Sequence, residues 1–280
     1  MELGLKGKVV MVTGGGTGIG QAIAAEFARE GCVVWISGRR MEKLEETRDV
    51  YAKEGLKLIP YVLDVTNLAA VEKCMEDMVG KSGSIDIWVN NAGFGKATRI
   101  EDVDDEHWDN TINANMKALL ITAKVISRQM KKQKSGVFMN ATSVAVKNPL
   151  ASNSVYAAAK AGAMSFTRTF AAELAPYGIR VNSYSPGMIV TEMSKRHIAR
   201  DHDKLIDTIA LRRFGEPEDL AKPIVFLCSD AASFITAVDL EIAGGRNCTQ
   251  NNGDMWRKAG DEAIVPKAVN LIPSEASTVW

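Results

Sequence analysis

Along most of the chain, short apolar runs alternate with longer stretches in which apolar residues recur every three or four positions. Val9-Val10-Met11-Val12 is a run of the first kind, and residues 19–30 form a stretch of the second. There Ile19, Ala22, Ile23 and Phe27 fall on one helical face, and Gly31 supplies a terminator. The alternation continues with strands predicted at 33–36, 58–63, 85–89, 136–140, 179–184 and 240–242. Helices are predicted at 41–53 and 68–79, as one long helix within 106–132, and at 156–174. Strands separated by helices imply a parallel sheet covered on both faces, which is why the strands are apolar throughout instead of at every second residue. The predicted class is α/β with a doubly wound parallel sheet.

No repeat or low-complexity linker interrupts this pattern before about Gly245, so residues 1–246 are read as one domain. Residues 247–280 form a C-terminal extension of different character, polar from Asn247 to Asp254 and mixed beyond. Partial disorder, or docking on the body or on a neighbouring subunit, are both compatible with that composition.

Composition narrows the functional classes. Of 280 residues, 46% are hydrophobic, enough for a sizeable core. Lys+Arg and Asp+Glu each number 34, so the balanced charge lacks the basic footprint of a nucleic-acid binder. No apolar run is long enough for a membrane span, and residues 1–10 lack the pattern of a secretory signal, so a cytoplasmic protein is expected. Cys32, Cys74, Cys228 and Cys248 form no CxxC pair and read as reduced thiols, and His107, His197 and His202 have no metal-ligand spacing. No metal is expected.

The segment Thr13-Gly14-Gly15-Gly16-Thr17-Gly18-Ile19-Gly20 lies between the first strand and the first helix. Glycines there let the backbone turn tightly and approach a pyrophosphate, whose charge then sits at the helix N-terminus. The end of the second strand is where such folds choose between ribose and ribose phosphate, and it reads Ser37-Gly38-Arg39-Arg40. No carboxylate is present to accept hydrogen bonds from a free 2′-hydroxyl. Arg39 and Arg40 suit a 2′-phosphate instead, and cations at a helix start are otherwise mildly unfavourable. NADP(H) is expected in preference to NAD(H).

Tyr156-Ala157-Ala158-Ala159-Lys160 places a phenol and an ammonium four residues apart, on one face of a helix. A tyrosine with its ordinary pKa near 10 is a poor acid–base catalyst at neutral pH, and a nearby ammonium is expected to lower it. Ser143, thirteen positions earlier, lies just past the fifth predicted strand, at the sheet edge where open parallel sheets bind ligands.

With these segments in view, the chain resembles the short-chain dehydrogenase/reductase family from about Lys6 to Gly245. The match runs in order through Thr13-Gly14, Gly18-Ile19-Gly20, Asp64-Val65, Asn90-Asn91-Ala92-Gly93, Asn115, Ser143, Tyr156 with Lys160, Gly178-Ile179-Arg180-Val181-Asn182, Pro186-Gly187, Thr191, and Arg213 to Asp219. The resemblance implies a Rossmann-type fold and a catalytic set of Asn115, Ser143, Tyr156 and Lys160. It implies cofactor contacts from Gly14, Gly16, Thr17, Gly18 and Ile19, from Asp64 and Val65 at the adenine, and from Asn91, Ala92 and Gly93 in the groove. Pro186, Gly187, Met188 and Thr191 would flank the nicotinamide, and Tyr156 and Lys160 would face its ribose. Asn115 would interrupt its helix and hold a water in a proton relay. Ser143, Val144, Ala145, Asn153, Tyr156 and Met188 would line the substrate pocket, with residues 188–211 as a flap above it.

The resemblance thus implies an oxidoreductase moving a hydride between nicotinamide and a ketone, aldehyde or secondary alcohol, with Tyr156 as general acid/base. A 3-oxoacyl-thioester reductase and a non-catalytic NADP(H)-binding sensor are the alternatives. A small-molecule substrate and a homotetramer or homodimer are expected as partners, with neither nucleic acid nor membrane. Two departures from the family pattern stand out: Thr236-Ala237 replaces its usual Thr-Gly, and Ala243-Gly244-Gly245 its Asp-Gly-Gly.

Overall fold

In the computed structural model, which describes residues 2–260 and 263–264, seven strands form one parallel sheet in the order β3-β2-β1-β4-β5-β6-β7. The strands are β1 (Val9–Thr13), β2 (Val33–Gly38), β3 (Leu58–Val62), β4 (Ile87–Asn90), β5 (Gly136–Ala141), β6 (Ile179–Pro186) and β7 (Asp239–Ile242). Their pairing makes the apolar runs intelligible. Val10, Val12, Val34 and Ile36 point to one face and pack with α1 (Gly18–Arg29) and α8 (Pro217–Cys228). Val9, Met11, Trp35 and Trp88 point to the other and pack with α3 (Leu68–Ser82), α5 (Ala118–Gln133) and α6 (Ser154–Leu174). Both faces of each central strand are thus dry, and no polar alternation is left for the sequence to show. Among the described residues no helix is long and apolar enough to cross a membrane.

The order reverses between β1 and β4, and a crevice opens past the carboxyl ends of strands at such a reversal. Helix α2 (Met41–Ala52) begins beside it. A smaller apolar cluster of Met188, Ile198, Leu205, Ile209 and Phe214 holds α7 (Lys195–Asp207) over the same edge. Lys195 pairs with Glu192, and His197 and Arg200 with Asp201, so this helix's cations are largely used locally.

The predicted long helix is α4 (Asp105–Ile112) running into α5, but the two are joined by one wide π turn at Asn113–Lys117. Ala237, where the family pattern has glycine, takes a left-handed φ of 63° just before β7, a conformation that strains any residue with a Cβ. In the extension, the segment up to α9 (Asp254–Ala259) folds back on the end of α7. Trp256 Nε1 donates to the Ala210 carbonyl at 2.7 Å, Asn252 Nδ2 to that of Gly245 at 2.9 Å, and Arg257 pairs with Asp207. The rest of the 247–280 extension, 261–262 and 265–280, lies outside the described residues.

Candidate active site

The crevice is a groove of about 630 Å³ lined by the glycine segment, Arg39, Arg40, Asp64, Val65, Asn91 to Phe94, and Thr191. Its floor is built from one hydroxyl. Thr13 Oγ1 donates to the Val89 carbonyl at 3.1 Å and accepts from the backbone N–H groups of Asn91 and Ala92 at 3.0 Å each. Asn91 returns the bond, its Nδ2 donating to the Thr13 carbonyl at 3.0 Å, while the Tyr184 hydroxyl donates to its Oδ1 at 2.9 Å. The role of Asn91 is therefore to fasten β1, β4 and β6 where the order reverses. Gly20 lets α1 sit directly on the turn, since a Cβ there would come within 2.3 Å of the Gly14 carbonyl oxygen.

This end of the groove suits a phosphorylated dinucleotide. The N-terminus of α1 has no side-chain cap: Thr17 stands at the cap position without a hydrogen bond to the first turn. Its free N–H groups and the helix dipole favour an anion. Arg39 and Arg40 are exposed on the rim, and among the described residues neither forms a salt bridge. Ser37, which also lines the groove, keeps a buried hydroxyl without a partner. Burial opposes the ionised form of Asp64, but hydrogen bonds from Thr66 and the charge of Arg39 hold its pKa below the usual value.

The groove runs as far as Gly93 and Phe94; Asn115, Ser143, Tyr156 and Lys160 do not line it, and Asn115 and Lys160 stand next to Gly93. A Cβ on Gly93 would lie 2.8 Å from Asn115 Oδ1 and 3.6 Å from Lys160 Nζ, and one on Gly95 would lie 3.4 Å from the Tyr156 ring. Lys160 is 4% exposed, donates to the Ala141 carbonyl at 2.7 Å, and holds its Nζ 5.7 Å from the centre of the Tyr156 ring. Ser143 Oγ accepts from the Ala145 backbone at 3.1 Å, which fixes the serine at the exit of β5. Asn115 is fully buried. Its Nδ2 donates to Phe94 O at 2.6 Å and to Thr111 O at 2.9 Å, one turn back, and this second bond accompanies the widened helix turn. Both amide protons are thus committed to backbone carbonyls, and Oδ1 accepts from the Phe94 N–H at 3.3 Å.

Burial dominates the electrostatics. It pushes the Tyr156 phenol above its ordinary value, with a hydrogen bond to Ser143 pulling the other way. It lowers Lys160 to about 8. The expectation that the ammonium depresses the phenol is not met in this structure, because desolvation dominates and the opposing influence is the hydrogen bond with Ser143. The lowered lysine has a sign with consequences for stability. The buried ammonium costs stability below pH about 8, and that cost fades as pH rises toward 10.5.

Several expected residues lie away from the large groove. Met188 is 9% exposed, packed under α7, and lines a separate cavity of about 150 Å³. Pro186, Gly187, Val144, Ala145 and Asn153 do not line the groove either, although the buried Asn153 Oδ1 lacks a partner. Lys43 and Asn113 line it unforeseen, and Glu192 and Met193 line it from the segment expected as a substrate flap. Lys43 had a signal, falling one helical turn after Arg40.

A family model described as enoyl-(acyl carrier protein) reductase matches residues 14–247. The 3-oxoacyl-(acyl-carrier-protein) reductase FabG of Thermotoga maritima is 39% identical over 245 residues, covering 86% of this chain and 98% of that protein. The chain belongs to the short-chain dehydrogenase/reductase family. Among solved structures, an NAD+-bound xylitol dehydrogenase superposes with a TM-score of 0.82 at 31% identity, over 86% of this chain and 99% of the other. A provisionally assigned NAD(P)-dependent gluconate 5-dehydrogenase from Beutenbergia cavernae, with NADP at low occupancy, gives 0.83 at 30% identity, over 89% and 100%. Structures of closely similar fold thus carry either cofactor.

Proposed function

We propose that this short-chain dehydrogenase/reductase is an NADP(H)-dependent enzyme that interconverts a ketone or aldehyde and an alcohol, with Tyr156 as the proton-transfer residue. The observation that carries the reading is the junction at Gly93 and Gly95. Gly93 lines a dinucleotide-sized groove and lies next to the buried Lys160, and two residues on Gly95 lies against the Tyr156 ring. The glycine turn and α1 would hold the pyrophosphate, Arg39 and Arg40 the 2′-phosphate, and Thr191 the nicotinamide end. The nicotinamide supplies or accepts the hydride. In reduction, Ser143 Oγ donates a hydrogen bond to the carbonyl oxygen and Tyr156 Oη passes its proton to the same oxygen. A raised phenol pKa keeps that proton in place across the neutral range. Lys160, with its ammonium beside the ring, stabilises the phenolate as it forms and returns the proton.

The pH profile tests Lys160. Carbonyl reduction is expected to fall as pH rises through about 8, where Lys160 loses its proton. Lys160→Arg should carry the fall to higher pH, because a guanidinium stays charged. A profile that is flat between pH 6 and about 10, or unchanged in the variant, would remove Lys160 from the proton path.

The function itself is tested by following NADPH and NADH oxidation side by side over a panel of ketones, aldehydes and 3-oxoacyl thioesters. Consumption of NADPH with a carbonyl substrate supports the reading; a panel in which neither cofactor is oxidised counts against it. A 3-oxoacyl-thioester reductase is the second reading, favoured by the FabG relative. Residues 1–246 would form the catalytic domain and 247–280 an appendage. A homotetramer or homodimer is expected, which light scattering would reveal.

A further inference from the structure

Arg246 stands four residues past the end of β7 and is only 9% exposed. Its Nε is buried without a hydrogen-bond partner. Among the described residues no carboxylate pairs with it, and burial alone moves its pKa, downward. Its neighbours differ. Arg212 and Arg257 share Asp207, and Arg213 pairs with Asp219. A largely buried guanidinium with no counter-charge is costly, and an anionic ligand at its accessible nitrogens is one way to recover the loss.

The position of Arg246 says which ligand. Ala243 packs so tightly on the exit of β6 that a Cβ on Gly187 would come within 2.6 Å of its Cα. Gly244 and Gly245 follow in left-handed conformation, φ 61° and 70°, and turn the chain toward the flap. Leu211 N donates to Gly244 O at 3.0 Å and Asn247 N to Thr208 O at 2.8 Å, so the end of the flap grips the chain on both sides of Arg246. Arg246 therefore lies at the same carboxyl edge of the sheet as Ser143. The strands they follow, β7 and β5, are separated only by β6. Two interstrand spacings are about 10 Å, a gap that an arginine side chain and a short substrate together can span.

We propose that Arg246 is the specificity-determining residue for a carboxylate on the substrate, a few bonds from the reacting carbon, so that the enzyme acts on an oxo acid or hydroxy acid. A planar guanidinium matches a carboxylate with paired hydrogen bonds. The inference rests on the proposed carbonyl chemistry, and the test separates the two. Binding of 4-oxopentanoate and 5-oxohexanoate is compared with that of their primary amides by calorimetry on NADP-loaded enzyme, and turnover is measured separately. The wild type should bind at least one acid about 30-fold more tightly than its amide. Arg246→Gln should erase that ratio, and Arg246→Lys should keep part of it.

An acid preference without turnover would leave the carboxylate site standing and sink the hydride reading. Equal binding of acids and amides by the wild type would overturn the site. So would an Arg246→Gln chain whose assembly mass or melting temperature changes while its acid preference survives. The guanidinium would then serve a subunit contact or the fold.

Discussion

Tyr156→Phe should lower carbonyl reduction by about 10³-fold while leaving NADPH binding close to that of the wild type. The substitution removes one oxygen and keeps the ring. That ring is what Gly95 admits, and the ring's position beside Lys160 does not depend on the hydroxyl. Among the described residues the phenol's hydrogen bond is with Ser143, so the fold has little to lose. Removing the proton donor leaves Ser143 to polarise the carbonyl, with no acid placed to finish the reaction. The measurement is NADPH oxidation at saturating substrate, with cofactor affinity read from quenching of protein fluorescence. Turnover at the wild-type rate would remove the phenol from the mechanism. A parallel loss of NADPH binding would make it a cofactor contact only.

This prediction depends on a placement that is partly legible in the chain. That Tyr156 and Lys160 share a helix face, and that Ser143 follows a strand, are consequences of periodicity. The sheet is similarly plain, because runs such as Val33-Val34-Trp35-Ile36 have no reason to be apolar throughout unless both faces are covered. The direction of the Tyr156 shift is hidden. It depends on how deeply the ring is buried beside the loop at Gly95, and no local pattern encodes that. The π turn at Asn113–Lys117 has no local signal either, since that segment has neither proline nor glycine, and only the family resemblance points to an interruption at Asn115. Asn115 takes the Thr111 carbonyl with its side chain, a bond available to any helical asparagine and used here because Phe94 orients the amide. Arg246 is the strongest case of this kind. A lone arginine after two glycines carries no local signal of burial, yet Arg246 is only 9% exposed.

Replacing Arg39 and Arg40 together by alanine should raise KM for NADPH by about 10²-fold and leave KM for NADH nearly unchanged. Both guanidiniums lie at the groove rim where β2 gives way to α2, and among the described residues neither is tied up by a carboxylate. A phosphate on the adenosine ribose would complete them. A free 2′-hydroxyl offers no charge, so NADH gains little from their presence and loses little by their removal. The expected effect is moderate because both side chains are exposed and salt screens such pairs. That screening supplies an independent check. In the wild type, KM for NADPH should climb with ionic strength far more steeply than KM for NADH, and the difference should vanish in the double variant. The residues at the ribose also permit the reverse experiment. Arg39→Asp, one residue past the end of β2, installs the missing acceptor and should favour NADH by pairing with the free hydroxyls and repelling the phosphate. Equal losses for both cofactors in the alanine variant would mean that the arginines serve the fold or the pyrophosphate. An unchanged preference would place the choice of cofactor elsewhere, with Lys43 the next cation along the same rim.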